Sequence, residues 1–176
     1  KRNEKNYFFT ILLYNDKMEF KKKTRLPVIM QQRDAVFSDF IVDNDGDFVF
    51  AKCGRNGSRD NITYVDLMIK PAAADTFSAY NIPLNKNFLD EVKIKADNIN
   101  KNILISSLYY KQRRGNVEGL YIAVWNKENN RINAESYNIF SDDLKENAKS
   151  ENTSAKTAFN DYFIRQIMPK RDDGIV

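Results

Sequence analysis

The chain has 176 residues, of which 42% are hydrophobic and 30% are charged, a composition typical of a globular protein and too apolar for a disordered one. It contains no histidine and a single cysteine, Cys53, which excludes Ser-His-Asp and Cys-His catalytic sites, histidine-containing zinc sites and an internal disulfide. The net charge of +4 comes from 28 basic and 24 acidic residues in short, separate clusters, so we interpret the basic clusters as solvated surface and expect no nucleic-acid partner.

The first predicted element is an apolar run from Tyr7 to Tyr14, which is interrupted by Thr10. The run is well short of the roughly 18 to 20 apolar residues that a membrane helix needs, so we expect no transmembrane segment. Its Phe, Ile and Tyr residues predict a β-strand instead.

A repeat organises the chain. Three strand-like runs align without gaps: Phe8–Tyr14, Tyr64–Lys70 and Tyr121–Lys127. Each is followed twelve positions later by a second apolar segment, and successive copies are separated by 56 residues from Leu26 to Ile82 and by 57 from Tyr80 to Tyr137. Self-similarity at a fixed period indicates a repeat architecture.

Two further strands are predicted before each of the later runs. Residues 37–42 lead through the acidic turn Asp43–Asp47 into residues 48–51, and residues 92–96 lead through an Asn-rich turn into residues 103–107. Asp-Gly and Asn-rich turns suit the positive φ angles of hairpins, and the flanking Val, Ile and Phe residues have high β propensity. Each full unit is therefore predicted to be a four-stranded antiparallel meander.

A repeating four-stranded meander of this length is the signature of a β-propeller blade. We therefore predict an all-β fold, a partial propeller of about three blade equivalents that is incomplete at both ends. The predicted units are the second half of a blade at 7–27, full blades at 37–84 and 92–140, a crossover insertion at 141–160 with a short helix near 142–149, and the start of a further blade at 161–176. A β-sandwich is the competing architecture, but it does not require successive four-stranded units to resemble one another.

One segment carries a resemblance to known families. Phe40–Ala51, an apolar strand followed by Asp-Asn-Asp-Gly-Asp and a second apolar strand, resembles the inner-strand hairpin of NHL-type and WD40-like propellers. With the segment Ala158–Arg165 and its abundant Asn and Lys, the chain is similar to exported propeller-like proteins of Bacteroidota. The resemblance implies an exported protein, periplasmic or associated with the outer membrane of a bacterium, and it implies no catalytic residue.

The acidic turn Asp43–Asp47 superficially suggests a calcium loop. An EF-hand loop needs glycine at its sixth position and glutamate at its twelfth, whereas this run has Gly46 fourth and Gly54 twelfth. We interpret the run as an acidic hairpin turn, with a weak cation site as the alternative, and we predict no metal site and no cofactor.

Other side chains have a structural interpretation and a chemical alternative. Three acidic pairs are Asp90-Glu91, Asp142-Asp143 and Asp172-Asp173. We interpret them as turn and helix-start residues rather than an acid–base pair for glycoside cleavage. Four aromatic residues lie in the sequence around Arg113 and Arg114: Tyr109, Tyr110, Tyr121 and Trp125. We interpret these aromatics as core, with a stacking surface for sugar, peptide or nucleic acid as the alternative, and Cys53 as a small hydrophobic residue.

These interpretations leave no predicted catalytic residue. We expect a non-enzymatic scaffold or protein-interaction module that binds through three loops: Gly54–Asp60, Lys111–Asn116 and Ser141–Asn160. Its expected partners are other proteins and the remainder of the propeller, supplied by the same or another chain. The alternative is a carbohydrate-binding or hydrolytic propeller whose central site is shared with blades absent from this chain.

Overall fold

The computed structural model describes residues 5–30, 35–57, 60–147 and 164–171. Its strands are β1 (Lys5–Tyr14), β2 (Phe20–Met30), β3 (Val36–Phe37), β4 (Ile41–Val42), β5 (Phe48–Arg55), β6 (Ile62–Lys70), β7 (Ser78–Ile82), β8 (Phe88–Leu89), β9 (Lys93–Asp97), β10 (Asn102–Tyr110), β11 (Gly119–Asn126) and β12 (Arg131–Ile139), and its helix is α1 (Asp142–Asn147). The strands pair in the antiparallel sense, so the predicted all-β class is confirmed. No helix within the described ranges is long and apolar enough to span a membrane.

Strands β1 and β2 form a separate two-stranded sheet, here called the hairpin. Its turn is closed by Asn15, whose side-chain oxygen accepts hydrogen bonds from two backbone amides of the turn at 3.1 and 2.8 Å. Successive side chains of a strand point to opposite faces. Phe9 and Val28 accordingly lie on the inner face of the hairpin, whereas Phe8 and Leu12 are exposed on its outer face.

The remaining strands are organised as two four-stranded meanders. In the first meander β4, β5, β6 and β7 pair in chain order, and in the second meander β9, β10, β11 and β12 repeat this order. Strand β8 joins them, because Leu89 pairs with Ile62 of β6 and with Tyr109 of β10. In the part of the chain that the structure describes, the strands do not close into a barrel or ring.

The two meanders pack face to face around the main hydrophobic core. Buried side chains on the two sides of this core include Val49, Ala51, Leu67, Ile103, Ile105 and Tyr121. Across the core, the ring centres of Tyr80 and Trp125 lie 4.8 Å apart. Apolar burial between the meanders is therefore the main source of their association.

The opposite face of the first meander is also covered. Phe50 and Met68 project from this face and pack with Val28 of the hairpin. The ring centres of Phe9 and Phe50 lie 5.2 Å apart. The first meander thus lies between the hairpin on one side and the second meander on the other.

Some local predictions differ from the structure. The strand predicted over residues 37–42 is interrupted after β3, where the hydroxyl of Ser38 accepts a hydrogen bond from the backbone amide of Ala51 at 2.8 Å. Gly54, predicted to begin a loop, is a buried residue of β5. Residues 164–171 contain no strand. Residues 148–163 and 172–176, which hold most of the predicted crossover insertion and much of the predicted last unit, lie outside the described residues.

Candidate functional site

The turn between β4 and β5 brings three carboxylates together. Gly46 adopts a left-handed conformation with a φ of 82°, which glycine reaches without steric cost. The carboxylate of Asp43 accepts hydrogen bonds from the backbone amides of Asp45 and Asp47, both at 3.0 Å. One oxygen from each of these three aspartates lies within 4.8 Å of the others. The run is a hairpin turn, as its sequence predicts.

Two lysines of the second meander enter this cluster. Lys127, directly after β11, places its Nζ atom 2.8 Å from Asp47 and 3.1 Å from Asp45, and it also hydrogen-bonds to Asp43. Lys101, in the β9–β10 turn, places its Nζ atom 2.6 Å from Asp45. We call these five residues the acidic clamp. It links the β4–β5 turn of the first meander to two turns of the second.

The pKa values in the acidic clamp reflect both burial and charge. Burial alone would lower the pKa of the Lys127 ammonium, but hydrogen bonds to Asp43, Asp47 and Asp45 more than offset this and raise the pKa above its usual value. The hydrogen bond from Lys101, followed by that from Lys127, lowers the pKa of Asp45. Lys127 and Asp45 are therefore both charged at neutral pH.

The acidic clamp argues against the alternative interpretation of the Asp43–Asp47 turn as a weak cation site. The two ammonium groups of Lys101 and Lys127 already lie among the three carboxylates, so a divalent cation would have to displace Lys127. This geometry favours a link between the meanders over a metal centre. The sequence pointed to the aspartates but not to Lys127, because an ion pair between residues 84 positions apart leaves no local pattern.

A second ionic contact joins the meanders at the other end of their strands. Asp60, in the β5–β6 loop, has a side chain that is only 1% exposed. It accepts hydrogen bonds from Arg113 and, at 2.6 Å, from Nε of Arg114, both in the β10–β11 loop. The hydrogen bond from Arg113, and to a smaller extent that from Arg114, lowers the pKa of Asp60 although burial opposes the shift. We call these three residues the arginine clamp.

The arginine clamp changes the interpretation of two predicted binding loops. Gly54–Asp60 and Lys111–Asn116 were expected to be exposed and to contact a partner. The two loops contact each other instead, through ion pairs of Arg113 and Arg114 with Asp60. The two arginines are therefore paired across the interface between the meanders and are not only surface charges. Of the third predicted loop, 141–160, only residues 141–147 lie within the described part of the chain.

The structure places the predicted aromatic residues mainly in the core. Tyr109, Tyr121 and Trp125 are buried between the meanders, which confirms the core interpretation and excludes them from an exposed stacking surface. Tyr110 is partly buried against Leu108 and Val117. Cys53 is also buried in this core, and burial raises the pKa of its thiol to about 12.

The predicted acidic pairs are dispersed. Asp142 and Asp143 lie in the first turn of α1, as a helix-start interpretation predicts. Glu91 forms an ion pair with Lys93 at 2.8 Å. Asp172 and Asp173 lie outside the described residues.

A cleft of about 230 Å³ opens beside the first strands of the two meanders. Its polar lining includes Asp39, Lys93, Lys95 and Arg165, and its apolar lining includes Ile41, Ile94 and Ile167. The Nζ atom of Lys93 lies 3.5 Å from Asp39 and 2.8 Å from Glu91, so its charge is compensated on two sides. The lining of the cleft combines apolar side chains with basic ones.

The outer face of the hairpin is aromatic, apolar and basic. Its large exposed apolar side chains are Phe8, Leu12, Tyr14 and Phe20. On the same face, the guanidinium of Arg25 lies 4.5 Å from the centre of the Phe8 ring, and Lys23 is the cross-strand neighbour of Leu12. We call this set of six residues the hairpin surface.

Sequence reasoning missed the hairpin surface, although one signal was present. A strand with one solvated face alternates apolar and polar residues, whereas the run from Tyr7 to Tyr14 is apolar at every position but Thr10. Such a run is typical of a strand that is covered on both faces.

Comparisons of the chain with protein-family models, curated proteins and solved structures found no match.

Proposed function

We propose that the chain is a segment of a β-propeller that serves as a non-enzymatic protein-interaction module of an exported protein. The observation that carries the proposal is the stack of hairpin, first meander and second meander, in which both faces of the first meander are buried. A propeller blade packs between its two neighbours, whereas the sheets of a two-sheet sandwich keep their outer faces toward solvent. Phe50, fully buried on the face away from the main core, therefore favours stacked blades.

The relative orientation of the two meanders supports the same architecture. Blades are repeated around a central axis, so equivalent strands of adjacent blades lie side by side. Near the starts of β4 and β9, Asp39 and Lys93 approach to 3.5 Å. At the opposite edge, the hydroxyl of Tyr137 in β12 donates to the carbonyl of Leu84, just after β7, at 3.2 Å. The first strands are thus neighbours, and so are the last strands.

The hairpin fits the second half of a preceding blade. In that assignment β1 is equivalent to β6 and β11, the third strands of the meanders, and β2 is equivalent to β7 and β12. The ion pair between Lys22 of β2 and Asp75 of the β6–β7 turn, at 3.1 Å, brings the equivalent ends of these elements together. The three units follow one another in the order of the chain.

A role in protein interaction is supported by the hairpin surface. Large apolar side chains that are exposed together mark interaction sites, and aromatic residues and arginine are enriched at such interfaces. The exported location is proposed only from the sequence pattern of Phe40–Ala51 and Ala158–Arg165, which resembles that of exported propeller-like proteins.

A second candidate function is the binding of a carbohydrate or another small polar ligand. It is supported by the cleft beside β4 and β9, because ligands bind in clefts that combine apolar walls with a few polar groups. Glycoside hydrolysis requires two opposed carboxylates. Among the described residues that line the cleft, Asp39 alone carries a carboxylate, so binding is better supported than hydrolysis.

The architecture is tested by determining the structure of the full-length protein by cryo-electron microscopy. We expect a closed ring of four-stranded blades that includes the two meanders as neighbours. A closed two-sheet sandwich would contradict the proposal.

The interaction role is tested by gentle extraction of tagged wild-type protein, Leu12→Ser and Ile99→Ser from the native source. Leu12 is on the hairpin surface, and Ile99 is a comparably exposed aliphatic residue in the remote β9–β10 turn. We expect a specific partner to co-purify with wild type and Ile99→Ser but not with Leu12→Ser. Recovery of all three proteins as monomers without a partner would contradict the interaction role.

A further inference from the structure

A second cleft, of about 310 Å³, opens between the hairpin and the first meander, and we call it the hairpin cleft. Its apolar lining includes Leu26 and Val28 of β2, Met68 of β6 and Phe77, and its polar lining includes Lys52 of β5 and Thr76. An apolar cavity of about 150 Å³ has room for a benzene ring. The hairpin cleft is therefore large enough for a ring with a short side chain.

The hairpin cleft lies at an interface that lacks an aromatic pair found between the two meanders. In the alignment of the repeated runs, Met68 corresponds to Trp125. At the 56-residue spacing of the repeat, Thr24 of β2 corresponds to Tyr80. The ring centres of Tyr80 and Trp125 lie 4.8 Å apart between the meanders. The hairpin interface has a threonine and a methionine at these positions, so the volume of two rings is not filled there.

The hairpin interface is also charged where the interface between the meanders is apolar. Lys52 and its cross-strand neighbour Asp66 form an ion pair at 2.9 Å, and their side chains are 14% and 22% exposed. Asp66 corresponds to Ala123 in the alignment, and the cross-strand neighbour of Ala123 is Ile105. Both of these residues are buried in the main core. Departures from such an apolar pattern are expected at functional sites.

One lysine on the same side of the first meander has no acidic partner within the described ranges. Lys70, at the end of β6, is 8% exposed, and its ammonium donates to the carbonyl of Pro71 at 3.2 Å. Two neighbouring lysines, Lys22 and Lys52, are each paired with one aspartate. The hairpin-facing side of β5 and β6 therefore has an excess of positive charge, which attracts an anionic group.

We propose that the hairpin cleft binds a small aromatic carboxylate. Its ring contacts Met68 and Phe77, because ring–ring and sulfur–aromatic contacts both favour such packing. Its carboxylate accepts a hydrogen bond from the Lys52 ammonium, which has three N–H donors and one ionic partner, Asp66, among the described residues. This ligand site goes beyond the proposed interaction role, and its comparison of interfaces uses the proposed equivalence of the hairpin to the second half of a blade.

The inference is tested with the 176-residue chain and two probes of similar shape. Phenylpropionate carries the carboxylate, and phenylpropionamide has an uncharged amide in its place. The chain contains four methionines, so carbon-13 labelling of their methyl groups gives few NMR signals, and Met68→Leu assigns the signal of Met68. A bound ring shifts this signal. Met168, which does not line the hairpin cleft, is the internal control.

Phenylpropionate is expected to shift the Met68 signal with a Kd below about 1 mM and to leave the Met168 signal unchanged. Phenylpropionamide is expected to bind about tenfold more weakly, because a neutral amide makes a weaker hydrogen bond to an ammonium than a carboxylate does. Equal affinity for the two probes would exclude a carboxylate ligand. Absence of a Met68 shift with either probe would overturn the inference.

Two lysine variants locate the carboxylate. Lys52→Met is expected to weaken binding of phenylpropionate about tenfold and to leave that of phenylpropionamide unchanged. Lys95→Met is the matched control, because Lys95 lines the other cleft, beside β4 and β9, and should leave both affinities unchanged. Equal effects of the two variants on phenylpropionate would overturn the inference.

A third variant fills the hairpin cleft. Met68→Trp introduces the side chain that Trp125 supplies between the meanders, so it is expected to abolish binding and to leave the Tm unchanged or raised. Saturation-transfer NMR on the ligand measures binding in this variant. It keeps the inference testable if Lys52→Met does not fold. Unchanged binding of phenylpropionate to a folded Met68→Trp variant would overturn the inference.

The same titration of the full-length protein completes the test. We expect phenylpropionate to shift the Met68 signal there as it does in the 176-residue chain. Loss of this shift in the full-length protein would show that another segment of the protein fills the cleft, and it would overturn the inference.

The inference and the proposed architecture fail in different ways. If the full-length protein is a closed propeller in which Met68 does not respond, the architecture stands and the ligand site does not. If Met68 responds as expected but the full-length protein is a two-sheet sandwich, the ligand site stands and the propeller does not.

Discussion

The variant Lys127→Met tests whether the acidic clamp stabilises the packing of the two meanders. Methionine retains most of the apolar stem of Lys127 but removes the ammonium, which leaves Asp43 and Asp47 without that cation. The side chains of Lys127 and Asp43 are 11% and 3% exposed. Removing one member of a buried ion pair lowers the free energy of unfolding by about 3 to 5 kcal/mol. Because Asp45 is 45% exposed and partly hydrated, we expect the lower end, about 3 kcal/mol.

This loss is large enough to measure by thermal unfolding. For a chain of this size, a change of about 1 kcal/mol shifts the Tm by about 2 to 4 °C, so Lys127→Met should lower the Tm by about 6 to 12 °C. Lys101→Met is the matched control, since Lys101 and Asp45 are 42% and 45% exposed. Exposed ion pairs contribute about 1 kcal/mol or less, so its Tm should fall by less than about 4 °C.

A double-mutant cycle separates the ion pair from other effects of Lys127→Met. Circular dichroism during heating and urea titration at pH 7 give the stability of Lys127→Met, Asp43→Asn and the double variant. We expect a coupling energy above about 1 kcal/mol between these two positions. The same cycle between Lys127→Met and Lys22→Met should give additive losses, because Lys22 pairs with Asp75 at another interface. Equal losses for Lys127→Met and Lys101→Met would refute the reasoning.

Four further predictions follow from other parts of the structure. Because its arginine partners lower the pKa of Asp60 below the usual 3.8, the stability it contributes is present above that value and is lost as the pH falls through the lowered pKa. Asp60→Asn should therefore be less stable than wild type at pH 7 and lose less stability between about pH 5 and pH 2, measured by urea unfolding; a parallel decline in both proteins would contradict this. The buried thiol of Cys53, with a pKa of about 12, should not react with Ellman's reagent at pH 8 in the native state. It should react fully in about 6 M guanidinium chloride, which unfolds most domains of this size. Phe50→Ala should cost about 3 to 5 kcal/mol in urea unfolding, whereas Phe8→Ala, at an exposed position, should change stability by less than about 1 kcal/mol. Calcium should leave the Tm of wild type unchanged and raise the Tm of Lys127→Ala, because this variant keeps the three carboxylates within 4.8 Å of one another and lacks the Lys127 ammonium. An increase in the Tm of wild type with calcium would show that Lys127 does not block the cluster.

The strands were predictable where local signals agreed. The acidic turn at Asp43–Asp47 was recognised because Asp-Gly between two apolar runs is a hairpin signal that the structure realises with Gly46 at positive φ. Tyr121 and Trp125 are assigned to the core because successive side chains of a third strand alternate between two faces that both pack in a blade, and both residues are buried. Each of these signals spans only a few residues.

Contacts between the meanders were not predictable from such signals. Asp60 and Arg114 are 54 positions apart, so no local sequence pattern links them as partners. β8 was missed because its two residues are too few to display a period. Ser38 splits a predicted strand because its hydroxyl bonds to the backbone of Ala51, a contact that exists only once β5 is in place.

The two clamps lie at opposite ends of one interface, and this has a mechanical consequence. Asp43 and Lys127 fasten one end of the strands, while Asp60 and Arg114 fasten the other, with the apolar core between them. Any twist of one meander against the other must pull at least one of these ionic contacts apart. The two meanders should therefore move as one rigid body. A force applied to the turns of one meander is then transmitted to the other meander and does not bend the interface between them.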